Sequence, residues 1–502
     1  MRAALGAGRF RLVRQLLSES LILSIAGGIG GVLLANGLIK LLIRLAPSDI
    51  PRIEEAGLNI TSLIFSLIVT LLTATLFGLV PAFTASRIKL TEILNEGGSK
   101  MSSGRSGLRT RSALVIAEVA LTVVLLTGST LILRTFVNLS RVKLGFEPAN
   151  VLTMHLRIQG AKYGNPEARR EFYRQLIERL EAQPGIAAAS AVLIRPMEGP
   201  VGWDWGFTLE GQSVTEAQKN RVPNFEVVTP HYFRTFSIPI KAGREFTEHD
   251  TEQSTRTAII SETMARTLFP AGVDPLGKRI RLDESSPDSP WRTIVGVAGD
   301  VRYRELQETR FDLYIPFGQW PMAFVNHFAV RTTVEPMALL ASVRREVAAL
   351  DPTQAVTRVA TMDQLVAANL ARPWFSAVLL NWLSGLALLL AAVGIYGVLA
   401  YSVAQRTGEF GIRLSLGAQA RDILKLVMGQ GMRLVAVGLL LGLSASFALT
   451  RLIEKLLFGV SATDSLTFVG ITVFLTATAM CACWLPARRA TRVDPLVALR
   501  HE

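Results

Sequence analysis

Apolar residues of this chain are gathered into six long blocks that polar segments separate. A helix needs roughly 20 apolar residues to cross the hydrocarbon core of a bilayer. Six stretches meet this requirement, approximately Leu16–Leu42, Ile60–Phe83, Ala113–Leu133, Phe375–Val403, Leu426–Leu449 and Leu466–Leu485. The first block follows several arginines, as in a signal peptide, but it is too long and a second block follows at once. The pattern therefore predicts six transmembrane helices.

The long segment between the third and fourth blocks has the pattern of a folded α+β domain. Two strand–helix–strand sets bracket an insert, Arg195–Val325. In the first set, the first strand alternates and is rich in β-formers, the helix is amphipathic and the second strand has the apolar pattern of a buried strand. The first set is Val151–Ile158, Pro166–Gln183 and Ala187–Ile194, and the second is His327–Thr333, Pro336–Leu350 and Ala355–Val359. The insert has predicted strands at Phe225–Thr229, Thr257–Ser261, Thr293–Val297 and Asp312–Pro316. We expect two subdomains, one of them built from the bracketing sets.

The predicted fold class is an all-α membrane protein of six transmembrane helices, with an α+β extracytoplasmic domain inserted between helices 3 and 4. Charge supports this arrangement. Between Arg141 and Arg372 there are 28 basic and 27 acidic residues, whereas the rest of the chain has 25 basic and 13 acidic ones. Nearly all of the net charge of +13 thus comes from the parts that flank the apolar blocks. This is typical of cytoplasmic loops and argues against a nucleic-acid groove.

The basic loops also predict the orientation of the chain. The N-terminus, the loop 85–111, the segment 406–421 and the C-terminal tail are rich in arginine and lysine. All four fall on one side of the bilayer if the spans alternate. Both termini are then cytoplasmic, and the stretch from about Leu139 to Arg372 is outside.

The chain contains an internal repeat. The similar pairs are Arg2–Ala7 (RAALGA) with Arg413–Ala418 (RLSLGA), and Pro81–Leu94 with Pro486–Leu499. Residues 1–96 therefore repeat residues 413–502, so the chain contains the end of one unit followed by one complete unit. The incomplete first unit predicts that the native start lies upstream of Met1, or that the chain is a shortened paralogue.

Several motifs resemble those of the FtsX/MacB-type ABC transporter permeases, across essentially the whole chain. The segment Arg406–Arg413 (RTGEFGIR), continuing to Leu416-Gly417-Ala418, looks like the cytoplasmic signature of that family. The outer segment resembles the MacB-like periplasmic core domain, and the motifs concerned are Pro230–Phe233, Gly243–Phe246, Phe269-Pro270, Asp274–Ile280, Val295–Val297 and Tyr314–Pro316. The tandem arrangement is most similar to the acidobacterial-type duplicated permeases, here N-terminally incomplete.

This resemblance implies a domain organisation and a function. The expected domains are 1–96, the C-terminal part of a first FtsX-like unit with two transmembrane helices; 97–138, a cytoplasmic linker and the third transmembrane helix; 139–372, a MacB-like periplasmic core domain; and 373–502, an FtsX-like permease domain with three transmembrane helices. The family implies a permease subunit of the bacterial inner membrane, working as a dimer or pseudo-dimer of permease halves. It would couple a separate cytoplasmic ATPase, which binds the ATP, to movements of the outer domain in efflux or mechanotransmission. A periplasmic partner protein is also implied.

The candidate ATPase-docking residues are Glu409, Phe410, Gly411, Arg413 and Gly417. Glu409 and Arg413 are four apart and share a helix face. Phe410 and Ile412 are expected to offer apolar contact to the partner, and the glycines permit close approach or a turn. The alternative is an ordinary positive-inside loop that anchors two spans.

Candidate catalytic, cofactor and metal sites are mostly rejected. The run Gly272–Lys278 (GVDPLGK) matches seven positions of a P-loop, but Arg279 follows instead of Ser or Thr and a helix precedes it. We interpret it as a turn entering a strand, so the chain needs a partner to use ATP. The five histidines lack metal spacing, and Cys481 and Cys483 are expected to be small residues of a membrane helix. We therefore predict neither an enzyme nor a bound cofactor.

Three further features concern packing and intramembrane polarity. Glu118 lies in the third apolar block and is a candidate intramembrane polar site, with a hydrogen-bonded packing role as the alternative. Trp203 and Trp205 are expected to belong to the core of the outer domain, with a contact surface as the alternative. The glycine runs 27–31 and 438–442 are expected to let membrane helices approach closely.

A second function stays open at this point. A membrane-anchored extracytoplasmic binding or scaffold protein without ATPase coupling would also have these spans and this outer domain, and the truncated first unit favours it.

Overall fold

The computed structural model describes residues 9–45, 55–86, 103–199, 202–270, 272–282 and 289–491. The repeat motif Arg2–Ala7, most of the loop 85–111 and the tail beyond residue 491 lie outside these ranges. The helices are α1 (Arg9–Leu45), α2 (Ile60–Ser86), α3 (Ser103–Ser140), α4 (Pro166–Glu181), α5 (Val214–Ala217), α6 (Tyr232–Phe236), α7 (Glu262–Leu268), α8 (Leu340–Leu350), α9 (Met362–Gln405), α10 (Thr407–Ser415), α11 (Ala420–Leu452) and α12 (Ser465–Ala490).

The chain divides into two compact units, residues 1–136 with 373–502, and residues 137–372. The first unit is helical. Within the described ranges, α1, α3, α9, α11 and α12 are long and apolar enough to cross a membrane. The described apolar part of α2 is shorter, Ile60–Thr75. Five of the six expected spans are therefore present as such, and the sixth stays a prediction.

Small residues bring the membrane helices together in the first unit. A Cβ atom added to Gly438 of α11 would lie 2.7 Å from the Cβ of Val119 in α3, and one added to Gly442 would lie 2.7 Å from the Cβ of Val123. Glycine lets the two backbones approach where the hydrophobic effect cannot drive association. The predicted role of the 438–442 run is thus confirmed. In the run 27–31, Gly28 lies against Thr70 of α2, whereas Gly30 and Gly31 have open space around them.

The second unit is a mixed α/β domain built on one 12-stranded sheet. Its strands are β1 (Val151–His155), β2 (Ile186–Val192), β3 (Trp203–Asp204), β4 (Phe207–Leu209), β5 (Asn224–Val228), β6 (Ile240–Gly243), β7 (Thr257–Ser261), β8 (Arg279–Leu282), β9 (Trp291–Ala298), β10 (Asp312–Pro316), β11 (His327–Thr332) and β12 (Thr357–Thr361). The order is β12-β1-β11-β2-β5-β10-β7-β9-β8-β4, with β3 paired to β5 and β6 to β9.

The two strand–helix–strand sets interlock at one end of this sheet. β11 lies between β1 and β2 and runs antiparallel to both, and β1 lies in the same way between β11 and β12. Each set is therefore a split βαβ unit, with α4 and α8 as the crossover helices, which gives a ferredoxin-like arrangement. The sheet continues into the insert where β2 pairs with β5, at Val192 opposite Val228. The two expected subdomains are thus two parts of one continuous sheet.

Most element boundaries agree with the sequence pattern, and the differences have local causes. The predicted helix 336–350 begins as a 3-10 turn, Pro336–Leu339, which the Glu335 side chain caps by accepting from the amide of Ala338. The strand expected at 355–359 lies two residues later. A turn at Asp351, whose Oδ1 accepts from the Thr353 amide at 2.9 Å, occupies the preceding residues.

One face of the central strands is apolar and the other is partly polar. In β5, Phe225 and Val227 enter the hydrophobic core, whereas Asn224 and Glu226 point to the opposite face, since neighbouring side chains of a strand alternate. Parallel pairing with β10 places Asp312 beside Asn224 and Tyr314 beside Glu226. All of these side chains are fully buried.

Candidate functional site

The candidate docking segment folds as a short helix, α10, between the long helices α9 and α11. Glu409 Oε1 and Arg413 Nη2 are 2.7 Å apart, and both side chains are about half exposed, at 43% and 44%. The expected shared face of these two residues is therefore confirmed. Arg406 Nε is 3.9 Å from the other oxygen of Glu409, so one carboxylate lies between two guanidinium groups.

Phe410 does not lie on the exposed face, which corrects its predicted role as a contact. Its side chain is 1% exposed and packs in the hydrophobic core of the first unit, a cluster that also contains Val403 and Ile423. The exposed apolar residues are Ile412, at 46%, and Leu416, at 81%. Sequence reasoning missed Leu416, although its spacing of four from Ile412 was a usable signal. Phe410 is thus the anchor of α10, and the other two are available for contact.

The two glycines of the segment have different roles. Gly417 follows the end of α10 with φ +92°, and Ala418 donates its amide to the carbonyl of Arg413 at 2.9 Å. A left-handed residue of this kind ends a helix and is most easily glycine. The predicted turn is confirmed there. Gly411 is buried, as is its neighbour Phe410, so it belongs to the covered part of α10 and not to its exposed face.

Basic and aromatic residues gather near α10, at one end of the helical unit. The guanidinium of Arg111, in α3, lies 4.0 Å from the ring centroid of Tyr401, in α9. Arg489 of α12 donates to the hydroxyl of Tyr396 at 2.8 Å. Because α3 has its N-terminal part here and α9 and α12 their C-terminal parts, the described basic loop residues belong to the same end of the unit.

A different polar contact lies at the opposite end of the unit. Arg134 of α3 forms an ion pair with Asp464, and it also donates to the hydroxyl of Thr467 at 3.0 Å. Asp464 caps α12, because its side chain accepts from the amide of Thr467 at 2.9 Å. One arginine thus joins the end of α3 to the start of α12.

Glu118 lies inside the helical unit and is partly buried. Its carboxylate packs directly against Gly394 of α9, where a Cβ atom would collide with it. Four residues further along α3, the hydroxyl of Thr122 reaches the carbonyls of Glu118 and of Ala387, at 2.8 Å and 3.2 Å. The polar groups of α3 therefore contact α9, and the role of Glu118 beyond this packing stays a prediction.

The rejected motifs have structural explanations. Gly272–Lys278 is the loop between α7 and β8, and β8 begins at Arg279 as expected. Trp203 and Trp205 pack against the core of the second unit together with Trp320, which confirms the packing interpretation. In the described part of the chain, no three His, Cys, Asp or Glu residues are grouped so that they could hold a metal ion.

Sequence reasoning missed a buried acidic pair in the second unit. Glu226 and Asp312 are 0% exposed, and Glu226 Oε1 and Asp312 Oδ2 lack a hydrogen-bond partner among the described residues. Burial raises the pKa of Asp312 from 3.8 to about 8, and it raises the pKa of Glu226 well above 4.5. Both groups are therefore held neutral by desolvation. One acidic residue in each of two otherwise largely apolar strands was the signal that could have revealed them.

Comparison with known proteins adds two family assignments. Residues 112–350 match the model of the MacB-like periplasmic core domain, and residues 381–495 match that of the FtsX-like permease C-terminal domain. The first match covers most of α3 and the mixed α/β unit to the end of α8, and the second covers the later part of α9 together with α10, α11 and α12.

Individual relatives agree with these matches. The chain is 26% identical to the uncharacterized ABC transporter permease YknZ of Bacillus subtilis, over 66% of this chain and 84% of that protein. It is also 26% identical to the macrolide export ATP-binding/permease protein MacB of Sodalis glossinidius, over 58% of this chain but 46% of that protein. The chain thus spans less than half of the Sodalis protein. Among solved structures, the chain is similar to the periplasmic region of MacB from Actinobacillus actinomycetemcomitans. The match covers 44% of this chain and 92% of that structure, at 17% identity and a TM-score of 0.31.

Proposed function

Since this chain belongs to the MacB/FtsX-type ABC transporter permeases, a family of multi-pass membrane proteins that work with a cytoplasmic ABC ATPase, we propose that it is the permease subunit that couples a separate ATPase to movements of its own outer domain. The ATPase would bind and hydrolyse ATP, and this chain would bind none. Residues 139–372 would form the extracytoplasmic domain, and residues 373–502 the permease domain that receives the ATPase.

Charge supports the orientation that this function requires. Arg111 of α3, Arg406 and Arg413 at α10, and Arg489 of α12 belong to the end of the helical unit that contains α10. Cytoplasmic loops are enriched in such residues. We therefore place α10 and both termini in the cytoplasm. The Arg134–Asp464 pair then lies at the outer end, from which α3 continues into the outer domain.

The observation that carries the proposal is the division of α10 into an anchored face and an exposed face. Phe410 fixes the helix to the membrane unit, because its side chain is buried among residues of α9 and α11. Ile412 and Leu416 are exposed apolar residues at a basic end of the unit, flanked by the Glu409–Arg413 ion pair. A short helix held rigidly on one face, with apolar and charged groups on the other, is suited to receive force from a soluble partner.

The outer domain would be moved through the two helices that connect it to the membrane unit. The chain enters the second unit from α3 and leaves it in α9, and α9 is one helix from Met362 to Gln405. Because α10 begins two residues after α9 ends, a displacement of α10 acts directly on that helix. A dimer or pseudo-dimer of permease halves, with a periplasmic partner, would complete the assembly.

The experiment is a pull-down of the full chain in mild detergent from cells that contain its candidate ATPases, followed by an assay of ATP hydrolysis in the eluate. The test variant is Ile412→Ser/Leu416→Ser, which removes exposed apolar groups. The control is Leu456→Ser, which removes a side chain that is 60% exposed at the other end of α11. We expect an ATPase to copurify with the wild type and the control, and to be lost from the double variant.

Copurification that is unaffected by the double variant would place the docking surface elsewhere. Absence of an ATPase from all three preparations would favour the competing function, a membrane-anchored extracytoplasmic binding or scaffold protein.

A further inference from the structure

A cluster of charged and strained residues lies at the end of β1 and β11 in the outer domain. His155 of β1 pairs across the sheet with His327 of β11, and their rings meet edge to face with centroids 5.3 Å apart. The loop after β2 contributes Arg195 and Glu198, and β12 contributes Arg358. We call these five residues the histidine cluster.

The hydrogen bonds of the cluster fix the proton of one histidine. His327 is 5% exposed, and its Nδ1 lies 3.2 Å from the carbonyl oxygen of Leu193. A carbonyl only accepts, so Nδ1 carries a hydrogen. Nε2 then points at Glu198 Oε2, 3.6 Å away, and has no hydrogen-bond partner among the described residues. In neutral His327 with its hydrogen on Nδ1, Nε2 is an acceptor that faces the acceptor oxygen of Glu198. A protonated His327 instead places an N–H donor towards this carboxylate.

Glu198 is the only acidic residue of the cluster. It accepts from Arg195 Nε at 2.6 Å and lies 3.7 Å from Arg358 Nη1. Burial alone would raise the pKa of Glu198, but His327 and Arg195 overcome this effect and lower it to about 2. One carboxylate therefore balances two guanidinium groups and, when His327 is protonated, an imidazolium as well. A further proton on His155 would have no acidic partner left.

The backbone is unusual at the same place. Met197 and Arg358 are not glycines but have φ of +65° and +45°. The pairing of β1 with β12 is irregular between Thr153 and His155. Strained residues and bulges persist where surrounding contacts hold them, and they concentrate at sites that rearrange. The contacts that hold this strain are those of the cluster, since Arg195 Nη1 also donates to Thr153 Oγ1 at 2.7 Å.

The cluster is connected to the start of α9. Asn369 Nδ2 of α9 donates to the carbonyl of Met197 at 3.1 Å. Met197 lies between Arg195 and Glu198, so the loop that carries two cluster residues also holds the first turns of the helix that leaves the domain.

We propose that the histidine cluster is a pH-sensitive latch, which holds the loop 193–199 and the first turns of α9 on the sheet at neutral pH and releases them when His155 is protonated at mildly acidic pH. The stimulus is the proton concentration outside the cell, given the proposed orientation. The latch itself is a property of the outer domain, and it stands whether or not the chain couples to an ATPase.

The sign of the effect follows from the groups around His155. Burial first, and then His327, Arg358 and Arg195, lower the pKa of His155 below 6.5, and Glu198 alone opposes them. The latched state thus binds this proton more weakly than an opened state does. The latch is fully stable above about pH 6.5 and loses stability as the pH falls from there through the lowered pKa.

The test is hydrogen exchange of the full chain in lipid nanodiscs at about pH 8 and about pH 5.5, with rates corrected for the pH dependence of intrinsic exchange. The peptides of interest cover residues 195–199 and 357–369. We expect their corrected exchange to rise roughly fivefold at the lower pH in the wild type, the factor that corresponds to an interaction of about 1 kcal/mol. His155→Gln, which cannot be charged, should show no rise. His155→Arg, which is always charged, should show the faster exchange at both pH values.

The matched control is His249→Gln, because His249 is an exposed histidine of the same domain outside the cluster. It should behave as the wild type does. Equal exchange of the wild type at the two pH values would overturn the proposal. A rise that persists in His155→Gln would also overturn it, and this result holds even if His155→Arg fails to fold.

Discussion

Because the carboxyl group of Asp312 is buried, we predict that replacing it with a group that cannot ionise stabilises the outer domain. The perturbation is Asp312→Asn. Asn keeps the shape of the neutral acid, since its amide oxygen can still accept from Asn224 Nδ2, which lies 3.4 Å from Asp312 Oδ1. The amide nitrogen replaces the protonated oxygen as a donor. The variant therefore resembles the folded wild type, in which burial already holds the carboxyl neutral.

The magnitude follows from the linkage between proton binding and folding. The pKa of Asp312 is raised from 3.8 to about 8. At neutral pH the unfolded chain has released the carboxyl proton of Asp312, so folding must bind a proton to this group. The contribution of Asp312 to the free energy of unfolding is most favourable below about pH 4, and it falls by about 1.4 kcal/mol per pH unit until the pH reaches the folded pKa. At pH 7 the Asn variant, which is free of this penalty, should be more stable by up to about 4 kcal/mol.

The assay is hydrogen exchange of the amides of β5 and β10 in the full chain, measured from about pH 4 to about pH 8 with intrinsic rates corrected. The difference between variant and wild type should vanish at the acidic end and grow towards the alkaline end. Two parallel profiles, or a variant that is less stable at neutral pH, would show that Asp312 is charged in the folded protein and would refute the reasoning.

Two further predictions concern the helical unit. Phe410→Ala should destabilise this unit by about 3 kcal/mol, because it leaves a cavity in the core, whereas Leu416→Ala should leave stability nearly unchanged. Thermal unfolding in detergent compares the two variants, and equal losses of stability would contradict the anchor role of Phe410. Gly438→Ile should destabilise the packing of α11 on α3 by about 1–3 kcal/mol, since a Cβ atom there lies 2.7 Å from that of Val119. Gly429→Ile, at a position with open space around it, is the control for the same unfolding measurement, and equal effects of the two substitutions would contradict the packing argument.

Much of the architecture was predictable because it depends on local periodicity. The helical spans and most strands of the outer domain follow from apolar blocks and from alternation, and β7 and β10 begin and end where the pattern predicts. The order of strands was less accessible. Nothing local to β1 or β2 shows that β11, more than 130 residues later than β2, lies between them.

The candidate sites were predictable only in part, for the same reason. The spacing of Glu409 and Arg413 revealed a shared face, but the sequence did not reveal which face of α10 the rest of the unit covers. Phe410 was therefore taken for a contact although the core encloses it. His155 and His327 meet only because their strands pair, so no spacing along the chain could indicate the cluster.

The most direct test of the coupling function is an EPR distance measurement on the nanodisc-reconstituted complex with its ATPase. Spin labels are placed at Val214→Cys in the outer domain and Leu456→Cys in the membrane unit, both exposed positions, after Cys481 and Cys483 are replaced by alanine. The account predicts that ATP with vanadate shifts the distance distribution, and that Ile412→Ser/Leu416→Ser abolishes the shift. An unchanged distribution while the bound ATPase hydrolyses ATP would contradict it.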